Sequence, residues 1–91
     1  MLAKYILYNE NLNFVLVSQK GTIKSSARGI KPIYDNYLKN KEYFFDSSVA
    51  DRVIGKAAAI ILVSIGVKEI YTDLISQSAL DYFEERKINV S

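Results

Sequence analysis

The stretch SSVADRVIGKAAAIILVSIG, residues 47–66, combines a polar beginning with an apolar body. Residues 57–63 are all apolar, and a helix that is apolar on every face lies inside a domain. Consecutive alanines favour a helix. At its beginning Ser48 and Asp51 fit a capping box with Asp in place of Glu, and at its end Gly66 suits the position after the last turn. The stretch therefore predicts one buried central helix. This helix would carry three charges near its beginning: Asp51, Arg52 and Lys56.

A membrane-spanning helix is the alternative interpretation of the same apolar run. A span needs roughly 20 apolar residues, whereas Arg52 and Lys56 precede this run and Gly66 and Lys68 follow it. The N-terminus lacks the basic region and apolar run of a secretion signal. The absence of cysteine also agrees with a cytosolic address. We therefore expect a cytoplasmic protein with no membrane partner.

Composition limits the chemistry that this chain can carry. A length of 91 residues suits one domain with one modest core, and 49% hydrophobic and 24% charged residues are typical of globular domains. The chain has neither Cys nor His, so zinc, haem and iron–sulfur sites would lack their usual ligands, and Ser-His or Cys-His nucleophilic pairs are excluded. We expect no metal and no cofactor. The side chains that remain available for chemistry are the carboxylates and those of lysine, arginine, tyrosine and serine.

The net charge of +2 is unevenly distributed. Lys20, Lys24, Arg28 and Lys31 lie in a segment, between residues 11 and 34, that holds no acidic residue. A solvated basic edge is the simplest interpretation, and an anion site is the second. A nucleic-acid surface is the least favoured, so we expect no nucleic-acid partner.

Hydrophobic periodicity and turn residues predict the other elements. The first is a short helix ending at Asn9, although its residues 4–8 could also form a strand. A central strand over 12–18, a tight turn over 19–21 and an edge strand over 22–25 follow, and then a helix over about 32–40 and an aromatic strand over 42–46. After the central helix come a strand over 67–71, a helix from Ser76 or Ser78 to Lys87 and a last strand over 88–91. The later βαβαβ alternation implies parallel strands. The predicted fold is a single α/β domain over residues 1–91, a three-layer α/β/α sandwich on a five-stranded mixed sheet.

Two segments resemble a small prokaryotic family of unknown function: RGIKP at 28–32 and ADRVIGKAAA at 50–59. The resemblance covers nearly the whole chain, including GVKEIY at 66–71. That family is structurally similar to the cytidine deaminases, whose order of helices and strands matches the order predicted here, so the resemblance implies a cytidine-deaminase-like fold. Longer members continue into a segment that carries a Cys, which implies that this chain is either a short member or a truncated one.

The resemblance also bears on metal chemistry. In true deaminases a His-Ala-Glu type motif opens the second helix, a Pro-Cys-x-x-Cys motif opens the third, and zinc lies between the two. The matching regions here, residues 28–31 and 47–52, hold no Cys, His or Glu. The resemblance therefore implies the fold without the zinc-dependent deaminase activity.

The predicted functional cleft lies where the second and third helices begin. Ligands of open α/β sheets bind outside the carboxyl ends of strands, and two helix N-termini offer free N–H groups to an anion. Arg52 and Lys56, four residues apart on the predicted helix, would share one face, while Asp51 would cap the helix or orient the ligand. The candidate ligand-binding residues are Arg28, Gly29, Lys31, Ser47, Ser48, Asp51, Arg52 and Lys56.

Three classes of function remain open from the sequence. The first is a domain that binds an anionic or nucleotide-like metabolite in this cleft. The second is a metal-independent enzyme with Asp51 as base and Lys56 as its electrostatic partner. The third is a self-associating structural protein, most simply a dimer, because so small a monomer cannot cover all of its hydrophobic residues. The surfaces proposed for contact are residues 43–45, the last strand and the hairpin edge.

Overall fold

The computed structural model describes residues 1–91, which form four α-helices, one short 3₁₀-helix and five β-strands. In chain order these are α1 (Leu2–Asn9), β1 (Phe14–Ser18), β2 (Gly21–Ser25), α2 (Lys31–Lys39), the 3₁₀-helix (Lys41–Tyr43), β3 (Ser48–Ile54), α3 (Lys56–Ser64), β4 (Glu69–Ile75), α4 (Gln77–Glu85) and β5 (Asn89–Val90). The predicted α/β class and its order of helices and strands are confirmed.

The five strands form one mixed sheet in the order β2-β1-β3-β4-β5. β1 pairs antiparallel with both β2 and β3, whereas β3, β4 and β5 run parallel. Phe14, at the beginning of β1, is the register partner of Ser25 on one side and of Asp51 on the other. The end of β2 and the middle of β3 therefore lie on either side of the beginning of β1, and at β3 strand pairing changes from antiparallel to parallel along the sheet.

The alternation of side chains along β1 and β3 separates two buried clusters. Phe14 and Leu16 point into the larger cluster, which also receives buried side chains from α2, α3 and α4. Val15 points to the other face, where Ala3 and Leu7 of α1 complete the smaller cluster. The sheet thus lies between one helix on one face and three helices on the other. No helix in the structure is both long and apolar enough to cross a membrane.

The prediction of one helix over residues 47–66 is wrong in its first half. Residues 48–54 form β3, and α3 begins only at Lys56, after Gly55 in an extended conformation (φ −103°, ψ 179°). Valine and isoleucine favour a strand here, and β3 pairs with β1 on one side and β4 on the other. The predicted capping box is therefore also wrong, whereas the apolar body does form a helix.

The aromatic strand predicted over residues 42–46 is also wrong. Lys41–Tyr43 is a 3₁₀-helix, and Asp46 adopts a left-handed conformation (φ 55°). Its backbone N–H donates to the Gly66 carbonyl over 2.7 Å. This turn buries Phe44 completely and leaves Phe45 75% exposed, so the segment offers no strand edge for contact between copies.

Candidate functional site

A polar cavity of about 290 Å³ opens at the carboxyl end of β3, beside the loop that leads into α2. It lies where the sheet changes direction, which is a common position for ligands in open α/β sheets. Five of its six lining residues are polar, charged or glycine. The lining consists of Asn13, Arg28, Gly29, Asp51, Arg52 and Val53.

Asn13 and Gly29 shape the walls of this cavity. The Asn13 side-chain amide donates to the Ser26 carbonyl over 2.6 Å, and the Asn13 carbonyl accepts from the Arg52 backbone N–H over 3.2 Å. Asn13 therefore joins the loop after β2 to the end of β3. Gly29 adopts φ 71°, a conformation that L side chains rarely take, and it turns the chain into α2. The exposed Arg28 side chain precedes this turn at the cavity rim.

Asp51 lies at the base of the cavity and is only 3% exposed. Its Oδ1 accepts one long hydrogen bond, from the Val53 backbone N–H over 3.4 Å, and its Oδ2 has no hydrogen-bond partner. Burial raises the pKa of the Asp51 carboxyl group to about 7, against the smaller opposing effect of the backbone N–H groups of Val53 and Arg52. The group can therefore both hold and release a proton near neutral pH.

The guanidinium group of Arg52 is directed at α1 instead. Its Nε donates to the Leu12 carbonyl over 2.9 Å and its Nη2 to the Leu7 carbonyl over 3.3 Å. Its Nη1 forms an ion pair with Asp73 at 3.2 Å, and the group stacks over the Tyr8 ring, 4.4 Å from the centroid. Arg52 thus joins α1 to the sheet, and the prediction that it lies on a helix is wrong because it belongs to β3.

Two tyrosines complete the surroundings of Asp73 on this face. The hydroxyl groups of Tyr8 and Tyr71 both donate to its Oδ1, the second over 2.8 Å. These two hydrogen bonds lower the pKa of the Asp73 carboxyl group, and the bond from Tyr8 has the larger effect. The pKa of the Tyr71 hydroxyl group is raised, first by its hydrogen bond with Tyr8 and then by its hydrogen bond with Asp73. Asp73 is therefore a stable anionic partner for Arg52.

Four of the eight predicted site residues meet at the cavity: Arg28, Gly29, Asp51 and Arg52. Lys31 lies nearby in sequence, but its ammonium group pairs with Asp35 at 2.9 Å. Of these four, only Arg28 and Asp51 bring to the cavity an ionisable group that has no ion-pair partner.

The other predicted residues lie elsewhere. Ser47 and Ser48 are at the opposite end of β3, where Ser48 lies about 10 Å from Asp51 at the rise of a strand and donates to Glu69 over 2.6 Å. Lys56 is the exposed first residue of α3 and does not line the cavity. Because Arg52 belongs to β3 and Lys56 to α3, the two do not share a helix face.

Sequence reasoning missed Asn13 and Val53 as lining residues. Asn13 precedes β1 and reaches the cavity only because β1 runs antiparallel to β3. Val53 lines it because residues 51–53 form a strand and not a helix. Both placements depend on strand pairing between distant parts of the chain, and no local signal in the sequence specifies that pairing.

The fold and this cavity define a small α/β domain with a polar pocket at the carboxyl end of a central strand. The profile of the TM1506 family, a domain of unknown function (DUF1893), matches residues 2–91. The chain therefore belongs to the DUF1893 family, and the prediction of a family of unknown function is confirmed.

A solved structure of the same family is similar to this fold. The crystal structure of a DUF1893 family protein (TM1506) from Thermotoga maritima has a TM-score of 0.82 and 28% sequence identity to this chain. The match covers 99% of this chain and 60% of that chain, so this chain spans about three fifths of its neighbour's length. No curated protein matches the chain.

Proposed function

We propose that this domain binds a small anionic or nucleotide-like metabolite in the cavity between the end of β3 and the beginning of α2. The observation that carries the proposal is the meeting of Arg28, which has no ion-pair partner, with the buried carboxyl group of Asp51 in one polar cavity. A guanidinium group at the rim suits a phosphate or carboxylate, because it presents several N–H donors in a planar fork.

The beginning of α2 adds to the attraction for an anion. No side chain caps its N-terminus and its first turn holds no acidic residue. The first backbone N–H groups of a helix lack partners within the helix, and together with the helix dipole they favour negative charge. Arg28 and Gly29, which line the cavity, precede this turn by two to three residues, so the beginning of α2 lies close in sequence to the cavity lining.

We also propose that the fold is cytidine-deaminase-like. The order of helices and strands and the position of the cavity beside the second helix support this, since deaminase zinc lies near the same helix. The residues present do not fit that zinc site: the chain has no His or Cys, and no cluster of three or more acidic residues could replace them. The proposed site is therefore not a deaminase-type zinc site.

A metal-independent enzyme is the second candidate function. It is favoured by the pKa of about 7 of the Asp51 carboxyl group, because proton transfer is efficient when the pKa of the catalytic group is near the working pH. Lys56, the predicted electrostatic partner, lies outside the cavity. In such an enzyme Arg28 would take that role.

The test of the binding function is a thermal-shift screen followed by calorimetry, with inorganic phosphate, ribose 5-phosphate, AMP and GMP as probes. We expect at least one of them to raise the melting temperature and Arg28→Ala to weaken its binding by about tenfold or more, the value of one charge-assisted contact. Lys39→Ala is the matched control, because it removes an exposed cation from the other end of α2. Equal binding by Arg28→Ala, or no binding of any probe, would contradict the proposal.

We further propose that copies of the domain self-associate through α2. Ile30, Tyr34 and Leu38 are 41%, 53% and 65% exposed and follow at intervals of four residues, so they share one helix face. We expect light scattering to give a mass above that of the 10.3 kDa monomer and Leu38→Glu to restore the monomer. A monomeric native chain at high concentration would refute this surface.

A further inference from the structure

We propose that the ligand of this cavity carries, besides its anionic group, a nitrogen with N–H donors that pairs with the Asp51 carboxyl group. This inference rests on the proposed anion-binding function. That function describes only the anionic group of the ligand, and the inference adds a second group at its other end. The anionic group lies at Arg28 and the nitrogen group at the base. The class is that of amino-bearing or amidine-bearing phosphates: a phosphorylated amine, or a nucleotide whose base presents an N–H edge.

The first argument is the unsatisfied state of Asp51. A buried carboxyl group is costly unless donors surround it, yet this one is 3% exposed with a single long bond of 3.4 Å and an unpartnered Oδ2. No lysine or arginine forms an ion pair with it. A ligand that brings N–H donors supplies the partners that the fold leaves out.

The second argument is the set of acceptors around the base of the cavity. Asn13 uses its side-chain N–H₂ on the Ser26 carbonyl, which leaves its Oδ1 as an acceptor without a partner in the chain. Asn13 and Asp51 line the same cavity. Two acceptors near one another suit a group with two or three N–H bonds, such as an ammonium group or the edge of an amidine.

The third argument favours a ligand with charges of both signs over a plain anion without nitrogen. A purely anionic ligand that filled the cavity would place negative charge against the only acidic side chain of its lining, and like charges at short range repel. A ligand with charges of both signs avoids this repulsion, because each end meets its opposite in Arg28 and Asp51.

The experiment compares two pairs of phosphates: the members of the first pair differ by an amino group, and those of the second by a nucleobase that presents an N–H edge. Calorimetry on the full chain at about pH 8 would measure phosphoethanolamine against ethyl phosphate, and GMP against ribose 5-phosphate. We expect the nitrogen-bearing member of at least one pair to bind about tenfold more tightly or better, the value of one charge-assisted hydrogen bond. Preference within the first pair indicates an amine, and within the second a nucleobase.

Asp51→Asn identifies the residue responsible, since it keeps the size of the side chain and replaces one acceptor oxygen by a donor. We expect this variant, with its fold checked by circular dichroism, to lose the preference while it binds the nitrogen-free anions as well as the native chain does or better. Arg28→Ala should weaken both members of each pair.

The outcomes separate this inference from the proposed function. Equal binding of both members by the native chain would overturn the inference and leave anion binding intact, with no variant required. A preference that survives in Asp51→Asn would also overturn it. Failure of all four probes to bind would overturn the proposed function and this inference together.

Discussion

Replacement of Asp51 by Asn is expected to change the pH dependence of folding. In the folded chain burial raises the pKa of this carboxyl group from 3.8 to about 7, whereas in the unfolded chain water restores the ordinary value. Between these two pH values the folded chain holds a proton that the unfolded chain has released. The contribution of Asp51 is therefore most favourable below about pH 3.8, falls as pH rises, and levels off above about pH 7.

The magnitude follows from the two pKa values. Each pH unit between them costs about 1.4 kcal/mol, so the total reaches about 4 kcal/mol above pH 7. Asp51 is almost fully buried, so solvent screening does not reduce this figure greatly. Asp51→Asn removes the titration, and the free energy of unfolding of the variant relative to the native chain should rise by up to about 4 kcal/mol between about pH 4 and pH 8.

Urea denaturation followed by circular dichroism at each pH measures this difference. Glu84→Gln is the control, because it makes the same change from carboxyl to amide at an exposed residue. If the difference in the free energy of unfolding between Asp51→Asn and the native chain were constant from about pH 4 to pH 8, Asp51 would have the same pKa in the folded and the unfolded chain. The argument from burial would then be refuted.

Five further substitutions, two of them controls, test individual contacts of the fold by urea denaturation. Arg52→Met should lower the free energy of unfolding by about 2–3 kcal/mol, because it leaves two backbone carbonyls and a carboxylate without their charged donor. Its control is Lys56→Ala, which removes an exposed cation and should stay within about 0.5 kcal/mol of the native chain. Gly66→Ala should lower the free energy of unfolding by about 1–3 kcal/mol, since φ is 89° there and a Cβ would lie 2.9 Å from the Phe45 ring. Its control is Gly55→Ser, which should be neutral or stabilising because Gly55 is an N-cap residue with open space around it. Ser76→Ala should cost about 1 kcal/mol by removal of the N-cap bond to the Ala79 backbone N–H. If Arg52→Met, Gly66→Ala or Ser76→Ala were as stable as the native chain, the contact named for that variant would be contradicted.

Elements with strong local signals were predicted well from the sequence. The β1–β2 hairpin was recognisable from a turn that ends at Gly21, which adopts φ 142°. α2 was recognisable from Pro32 in its first turn, and α4 from Ser76, whose hydroxyl oxygen accepts from the Ala79 backbone N–H over 3.2 Å. Each of these signals acts within a few residues, so it is visible without knowledge of the fold.

The first half of the central stretch could not be predicted in the same way. Residues 48–54 have enough apolar side chains for a buried helix or for a buried strand, and periodicity does not separate the two in a short run. β-strand pairing decides the matter: Val49 is the partner of Leu16 in β1 and of Ile70 in β4, far away in sequence. The error moved Asp51 and Arg52 onto a helix and brought Lys56 into the predicted site.

The strand assignment gives these two adjacent charges different roles. Consecutive residues of a strand point to opposite faces of the sheet, so Arg52 reaches α1 while the Asp51 side chain lies on the other face. Charges near the centre of a sheet are costly unless they are paired. Arg52 is compensated by two carbonyls, a carboxylate and an aromatic ring, whereas Asp51 has one long hydrogen bond. The fold thus satisfies one charge fully and leaves its neighbour beside the cavity with an unpartnered oxygen. A ligand that brings a donor to this oxygen supplies a hydrogen bond that the fold itself does not make.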